Sequence, residues 1–168
     1  MKAEGRRQKA EMLRLADLLR YPDRPLAVAA GDSAEVVAFF DEVGHVVPEG
    51  VEELYTRTFD LNPVATLEVG WHLWGEAYER GRFLADLRGL QELMGIDAGS
   101  ELPDHLTVIL ATLAHLDDPS VLMTQIAPAL EKIAAPLDEQ GNPYRHLVRA
   151  ATALTTGNWQ LATAGGEA

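Results

Sequence analysis

The chain has 168 residues, of which 47% are hydrophobic, and this composition predicts one folded domain with a substantial apolar core. It contains no cysteine, which excludes disulfides, thiolate metal ligands and cysteine nucleophiles. The formal net charge of −12 argues against a nucleic-acid-binding protein, because phosphates require a basic surface.

Membrane insertion and export are not expected. No apolar run approaches the roughly 18 residues that would span a bilayer. The pair Arg6-Arg7 lacks the apolar block that follows it in an export signal. We therefore expect a cytoplasmic protein.

Helical patterns fill the first half of the chain. The first stops at Tyr21-Pro22. Asp32 is predicted to cap the second helix, with Glu35 completing a capping box, and Pro48 suits the first turn of the third. The dipeptide Asn62-Pro63 is predicted to begin a fourth helix. That helix carries Leu67, Gly70, Trp71, Trp74 and Tyr78.

The second half shows the same periodicity. Residues 80–94 carry a narrow apolar stripe that ends at Gly95, and the most hydrophobic helix follows a Gly/Ser-rich connection. Pro128 and Pro136 are expected to kink the next helix, and Gly141-Asn142-Pro143 turns the chain into the last one. Because no β alternation appears, we predict an all-α, single-domain bundle of about seven helices over residues 1–157. Residues 158–168 are predicted to form a flexible tail.

The stretch from Ser100 to Leu106 is the most informative part of the chain. It places Glu101, Asp104 and His105 at the start of the most apolar helix. Their ordinary explanation is local: Ser100 caps the helix, the acids complement its dipole, and the histidine is solvated. The alternative is a binding surface.

A second unusual cluster lies about forty residues upstream. Tyr55 and Phe59 are one helical turn apart and Asp60 follows them, which predicts an aromatic surface beside a carboxylate. Such a surface suits a peptide with both apolar and basic residues, although Asp60 could be only a polar group at a helix end. Trp71 and Trp74 are interpreted as core residues, with a groove-lining role as the alternative.

Acidic residues are concentrated between positions 32 and 60, where eight acids face one base, Arg57. Such a surface would attract a cationic partner and speed its capture, and Glu49, Glu52 and Glu53 are its candidate steering residues. A solvated face that only aids solubility is the ordinary explanation.

Catalytic and cofactor-binding signals are weak. Glu68, His72 and Glu76 follow the spacing i, i+4, i+8 and could bind a divalent metal, but a di-iron bundle would need further ligands from other helices. No nucleophile elbow or phosphate-binding loop is present. We expect neither an enzyme nor a cofactor. A metal-dependent bundle enzyme using this trio and a structural helical adaptor remain the alternatives.

Four short motifs, in this order along the chain, resemble those of the redox-enzyme assembly chaperones of the NarJ/TorD type. They are Leu18-Leu19-Arg20-Tyr21-Pro22-Asp23, Thr58-Phe59-Asp60-Leu61, Glu101-Leu102-Pro103-Asp104 and Gly141-Asn142-Pro143-Tyr144. The nitrate reductase delta-subunit (NarJ) branch is nearer, because in the TorD branch the proline directly follows the glutamate. His105 is more typical of the TorD branch.

The resemblance implies an all-helical cytoplasmic chaperone without a cofactor of its own. Such a chaperone binds the N-terminal segment of an apo molybdoenzyme catalytic subunit, of which nitrate reductase is the nearest example, until the cofactors are inserted. The residues predicted to contact this client peptide are Tyr55, Phe59, Asp60, Trp71, Trp74, Glu101, Asp104 and His105. The sequence leaves open which molybdoenzyme is the client and whether the chain forms a homodimer.

Overall fold

Helices make up nearly all the regular structure of the computed structural model, which describes residues 2–157. The predicted tail, 158–168, lies outside the described residues. The α-helices are α1 (Lys2–Leu18), α2 (Ala34–Val43), α3 (Pro48–Tyr55), α4 (Val69–Trp74), α5 (Tyr78–Met94), α6 (Leu106–His115), α7 (Ser120–Gln140) and α8 (Arg145–Thr156). A π-helical turn spans Thr56–Asp60 and a 3-10 turn spans Pro63–Ala65. The all-α prediction is confirmed, with eight α-helices in the described residues where about seven were expected.

The apolar core forms around α6. Eight of its ten residues are buried, because neighbouring helices cover nearly its whole circumference. Helix α1 packs along α6, α7 packs along α8, and α2 lies against α8. A helix that is apolar on nearly all sides is expected at such a central position.

The predicted fourth helix is wrong, because the chain leaves the helical path between two short elements. Residue Leu67 accepts a backbone hydrogen bond from Leu106 (2.8 Å), and Val69 donates one to the carbonyl of Asp104 (3.0 Å). These bonds hold the intervening residue in an extended conformation, and α4 begins only at Val69. It ends at Gly75, whose φ of +57° favours glycine.

Two predicted helix caps are also wrong. Ser33, not Asp32, caps α2, and its hydroxyl accepts from the Val36 N–H (3.4 Å). Asp32 is used instead by the preceding loop, where it binds the guanidinium of Arg14 (2.8 Å). Ser100 lies six residues before Leu106, the first residue of α6, and His105 caps that helix.

An aromatic cluster joins α2, α3, the π-helical turn and the start of α8. Tyr144 lies 5.1 Å from Phe39, 5.7 Å from Tyr55 and 5.0 Å from Phe59, measured between ring centroids. The Tyr55 hydroxyl donates to the carbonyl of Leu19 (2.9 Å). The Tyr144 hydroxyl is buried without a hydrogen-bond partner among the described residues.

We predict that Tyr144→Phe raises the free energy of unfolding by up to about 1 kcal/mol, because a buried unpaired hydroxyl costs stability. Tyr55→Phe is the matched control. It removes a satisfied hydroxyl and should lower stability by about 1 kcal/mol. Urea unfolding followed by circular dichroism measures both variants, and a Tyr144→Phe protein as destabilised as Tyr55→Phe would contradict the prediction.

Candidate functional site

Asp104 lies at the centre of a buried polar network. Its side chain has no solvent exposure, and its Oδ2 accepts hydrogen bonds from the Gly70 N–H (3.0 Å) and from Nε of Arg80 (3.3 Å). Arg80 also donates to Oε2 of Glu68 (2.9 Å). Oδ1 of Asp104 has no hydrogen-bond partner among the described residues. We call Glu68, Gly70, Arg80 and Asp104 the Asp104 network.

The segment that carries Asp104 is held by its backbone as well. Gln91 of α5 donates a side-chain hydrogen bond to the carbonyl of Pro103 (3.0 Å), and Glu68 forms an isolated antiparallel bridge with His105. Burial raises the pKa of Asp104 above its usual range, although the guanidinium of Arg80 opposes the shift. The segment therefore joins α4, α5 and α6.

His105 is a buried helix cap that faces the acids of both sequence clusters. Its Nδ1 lies 2.7 Å from Oγ1 of Thr107 and accepts from the Thr107 N–H (3.4 Å). Burial lowers the pKa of this imidazole, while Glu101, Glu68, Asp104 and Asp60, in that order, oppose the shift. The fold thus brings Asp60 into the same electrostatic environment as the Glu101–His105 segment.

A polar cleft of about 550 Å³ borders this segment. It lies between the end of α1, the 96–101 connection and α6, and His105 forms part of its wall. The charged residues that line it are Asp17, Arg20, Asp23, Asp97 and Glu101. Acids outnumber bases here, and Glu101, with 51% of its side chain exposed, is accessible to a partner.

The aromatic surface predicted at Tyr55 and Phe59 is not formed. Both side chains are buried, because they pack against each other and against the other rings of the aromatic cluster. Asp60 is exposed at the end of that turn. Of this cluster, only Asp60 can reach a partner directly, and the role of all three residues in client binding stays a prediction.

An apolar groove of about 500 Å³ runs between α5 and the start of α7. Its apolar lining consists of Trp74, Phe83, Leu87, Leu90, Leu116, Val121 and Leu122. Its polar lining consists of Glu79, Arg82, Asp86, Asp118 and Gln125, so three acids accompany one base. We call this feature the α5–α7 groove.

Sequence reasoning found only part of this groove. The apolar stripe of α5 was predicted, but no binding surface was assigned to it. In the structure Leu90 of that stripe is half-buried, and Val121 of α7 is 78% exposed. Trp74 lines the groove with its ring 5.0 Å from that of Phe83. Trp71 is half-buried beneath the guanidinium of Arg80, 6.0 Å from the ring centroid. The sequence carries no direct signal of the groove, because the exposure of Val121 depends on how α5 and α7 pack.

The trio Glu68, His72 and Glu76 does not share one helical face. Helix α4 spans only Val69–Trp74, so Glu68 precedes it and Glu76 follows it. Glu68 is paired with Arg80, and Nε2 of His72 bonds to the carbonyl of Thr66 (2.7 Å). Across residues 2–157, no group of three or more side chains is arranged to hold a metal ion.

The acidic stretch is partly neutralised inside the protein. Asp32 pairs with Arg14, and Glu42 pairs with Arg145 (2.9 Å). Glu49 and Glu53 are exposed on α3, and Glu52 is half-buried there. These three carboxylates remain the candidate steering residues. Within the described part of the chain, no helix combines the length and the apolarity needed to cross a membrane.

We predict that acidification destabilises the protein partly through His105. Because burial lowers the folded-state pKa of His105 below the ordinary value of about 6.5, the unfolded chain binds this proton more tightly. The stabilising contribution of the buried, neutral His105 is therefore complete above about pH 6.5. It is lost as pH falls toward the folded-state pKa. His72, whose pKa burial also lowers, acts with the same sign.

His105→Asn tests this prediction, because asparagine is a good helix cap and does not titrate. Urea unfolding at pH 7.5 and pH 5.5 should show a smaller loss of stability for this variant than for the parent, by at most about 1.4 kcal/mol per pH unit. His45→Asn, at an exposed position, is the control. Equal pH slopes for the parent and His105→Asn would refute the prediction.

A model of one protein family, described as the nitrate reductase delta subunit, matches residues 24–149. The chain belongs to this family. The matched range includes the Asp104 network, the α5–α7 groove and both sequence clusters. The resemblance drawn from the motifs is thereby confirmed.

Curated relatives of the delta-subunit family match over most of this chain. The nitrate reductase molybdenum cofactor assembly chaperone NarJ of Escherichia coli strain K12 is 29% identical over 152 residues, which cover 80% of this chain and 64% of that protein. The probable chaperone of the same name from Bacillus subtilis strain 168 is 25% identical over 150 residues, which cover 80% of this chain and 82% of that protein. The chain thus spans less than two thirds of the length of the Escherichia coli relative.

Proposed function

We propose that this protein is an assembly chaperone rather than an enzyme. It binds the N-terminal segment of an apo molybdoenzyme catalytic subunit of the nitrate reductase type and supports insertion of the molybdenum cofactor. The names of its curated relatives support this role. The proposal places the encounter in the cytoplasm, where a client without its cofactors would be made.

The α5–α7 groove is the observation that carries the proposal. Seven of its lining residues are apolar, and one of them, Val121, is largely exposed. An amphipathic helix of the client can lay its apolar face in such a groove, as in other helix-in-groove complexes. The acids Glu79, Asp86 and Asp118 would meet basic residues on the flanks of that helix.

The residues predicted from the sequence take different parts in this proposal. Trp74 contacts the client directly in the groove. Asp60 and Glu101 are exposed and contribute negative charge, and Glu101 lines the polar cleft, which shares no lining residue with the groove. Glu49, Glu52 and Glu53 on α3 speed the approach of a basic peptide without contacting it.

Calorimetry with a synthetic peptide tests the function. The peptide carries about the first twenty residues of the nitrate reductase catalytic subunit from the same organism, and a scrambled peptide of equal composition is the control. We expect saturable binding of the native peptide at one site per chain. Failure of the native peptide to bind, or equal binding of the scrambled peptide, would overturn the proposal.

Salt dependence tests the steering role separately. Glu49→Gln, Glu52→Gln and Glu53→Gln combined should weaken the dependence of the association rate on salt, because exposed charges act through screened electrostatics. The matched control neutralises three other exposed acids, Glu4, Glu131 and Glu139, and changes the net charge equally. Identical salt slopes in stopped flow for the two triple variants would show that the acids of α3 have no special role.

A further inference from the structure

Asp104 is the best-defined polar residue of the predicted site, yet it cannot touch a partner. Its side chain has no solvent exposure, and both groups that donate to it belong to this chain. A direct contact with the client would require the fold to open. Its contribution to binding must therefore pass through Gly70 and Arg80.

The first of these paths runs through α4. A Cβ atom added to Gly70 would lie 2.6 Å from Oδ2 of Asp104 and 3.3 Å from Cδ1 of Phe83, so the first turn of α4 fits tightly between these two side chains. Trp74 follows Gly70 by four residues, about one helical turn. Its ring contacts that of Phe83, and both rings line the α5–α7 groove.

The second path runs through α5. Arg80 lies three residues before Phe83 on the same helix, and its Cγ would be 3.2 Å from the added Cβ. Its guanidinium bonds to Glu68 just before α4 and to Asp104 just before α6. Arg80 therefore holds the start of α4 against α5 and against the Asp104 segment.

We propose that Asp104 and Arg80 are positioning residues of the α5–α7 groove. Together they hold α4 in the place where the Trp74 ring packs against the Phe83 ring in the lining of the groove. The inference rests on the proposed function for its link to the client. The Glu101-Leu102-Pro103-Asp104 motif would thus shape the binding surface through its buried residue, Asp104. Of the two acids in this motif, only Glu101 is exposed to solvent.

The chain contains a closely matched control for Arg80. The ion pair of Arg145 with Glu42 has the same length as that of Arg80 with Glu68, 2.9 Å. The arginine side chains are 19% and 18% exposed, respectively. Arg145 joins α8 to α2 and lines neither the groove nor the cleft. A variant at Arg145 therefore removes a comparable ion pair without disturbing α4.

The experiment compares Arg80→Met, Asp104→Asn and Arg145→Met with the parent, all carrying Trp71→Phe and Trp159→Phe so that emission comes from Trp74 alone. The probe is the client N-terminal peptide labelled with fluorescein, and circular dichroism verifies folding. We expect Arg80→Met and Asp104→Asn to weaken binding at least 10-fold and to shift the tryptophan emission of the free protein. Arg145→Met should keep the affinity for the peptide within twofold of that of the parent. It should leave the tryptophan emission unchanged within error. Arg80→Lys, which keeps the charge, should recover part of the loss and serves if Arg80→Met does not fold.

The outcomes separate this inference from the proposed function. If the parent binds the peptide and the Arg80 and Asp104 variants bind equally well, the positioning role is overturned and the function stands. If all three variants, Arg145→Met included, lose affinity to the same extent, the effect is general destabilisation and the inference is also overturned. If the parent does not bind, the proposed function fails, and the emission shift alone decides whether Arg80 and Asp104 position Trp74.

Discussion

Gly70→Ala is expected to lower the free energy of unfolding by about 1–3 kcal/mol, as overpacked sites typically do. The added Cβ would lie 2.6 Å from Oδ2 of Asp104, closer than van der Waals contact allows. The carboxylate cannot swing aside freely, because it is buried and bonded to the Gly70 N–H and to Arg80. Relief of the clash would break a buried hydrogen bond to a charged group, which adds to the cost.

Gly81→Ala and Gly89→Ala are the controls, and they should change stability in the opposite direction. Both glycines lie inside α5, and an added Cβ meets nothing within 4 Å at either position. Alanine in a helix interior is favoured over glycine by up to about 1 kcal/mol. Urea unfolding of the three variants measures the difference, and a Gly70→Ala protein at least as stable as the parent would show that the Asp104 network has room to adapt.

The positions of most helices were predictable from the sequence because the residues at helical apolar spacing are the ones that pack against neighbouring helices. The stripe of α5 and the apolar run of α6 both appear where the spacing of leucines and isoleucines placed them. The prediction failed at residues 66–68, where bonds from Leu106 and to Asp104 replace the helical pattern. Those partners are nearly forty residues away in sequence, and no local pattern encodes such a pairing.

The candidate site was less predictable for the same reason. Tyr55, Phe59 and Asp104 looked like surface residues because polar and aromatic types cluster around them, but burial depends on which helix covers them. Tyr144, some ninety residues after Tyr55, closes the aromatic cluster over that residue. Two of the predicted client-binding residues, Asp60 and Glu101, are exposed to solvent as expected.

Val121→Asp is expected to weaken binding of the client peptide by roughly 10- to 100-fold, which corresponds to about 1.4–2.8 kcal/mol. Val121 lines the α5–α7 groove and is 78% exposed in the free protein, so the substitution should scarcely change stability. In the complex, the carboxylate would be buried against an apolar peptide face without a partner. Leu90→Ser, on the opposite wall, should act in the same direction, and anisotropy titration with the labelled peptide measures both.

Leu93→Asp is the control for these variants, because Leu93 is 88% exposed on α5 and does not line the groove. It adds the same negative charge and removes a similar apolar side chain, so its affinity should stay within about twofold of the parent. A second pair, Asp60→Ala and Glu101→Ala, probes the two exposed acids of the sequence clusters, of which Glu101 lines the polar cleft. If Val121→Asp binds like the parent while Asp60→Ala and Glu101→Ala each lose about 1–3 kcal/mol, the client occupies the polar cleft and our placement in the groove is wrong. Loss at Val121 with little change at Asp60 and Glu101 would instead place the apolar face of the client between α5 and α7, against the groove lining that includes Trp74 and Phe83.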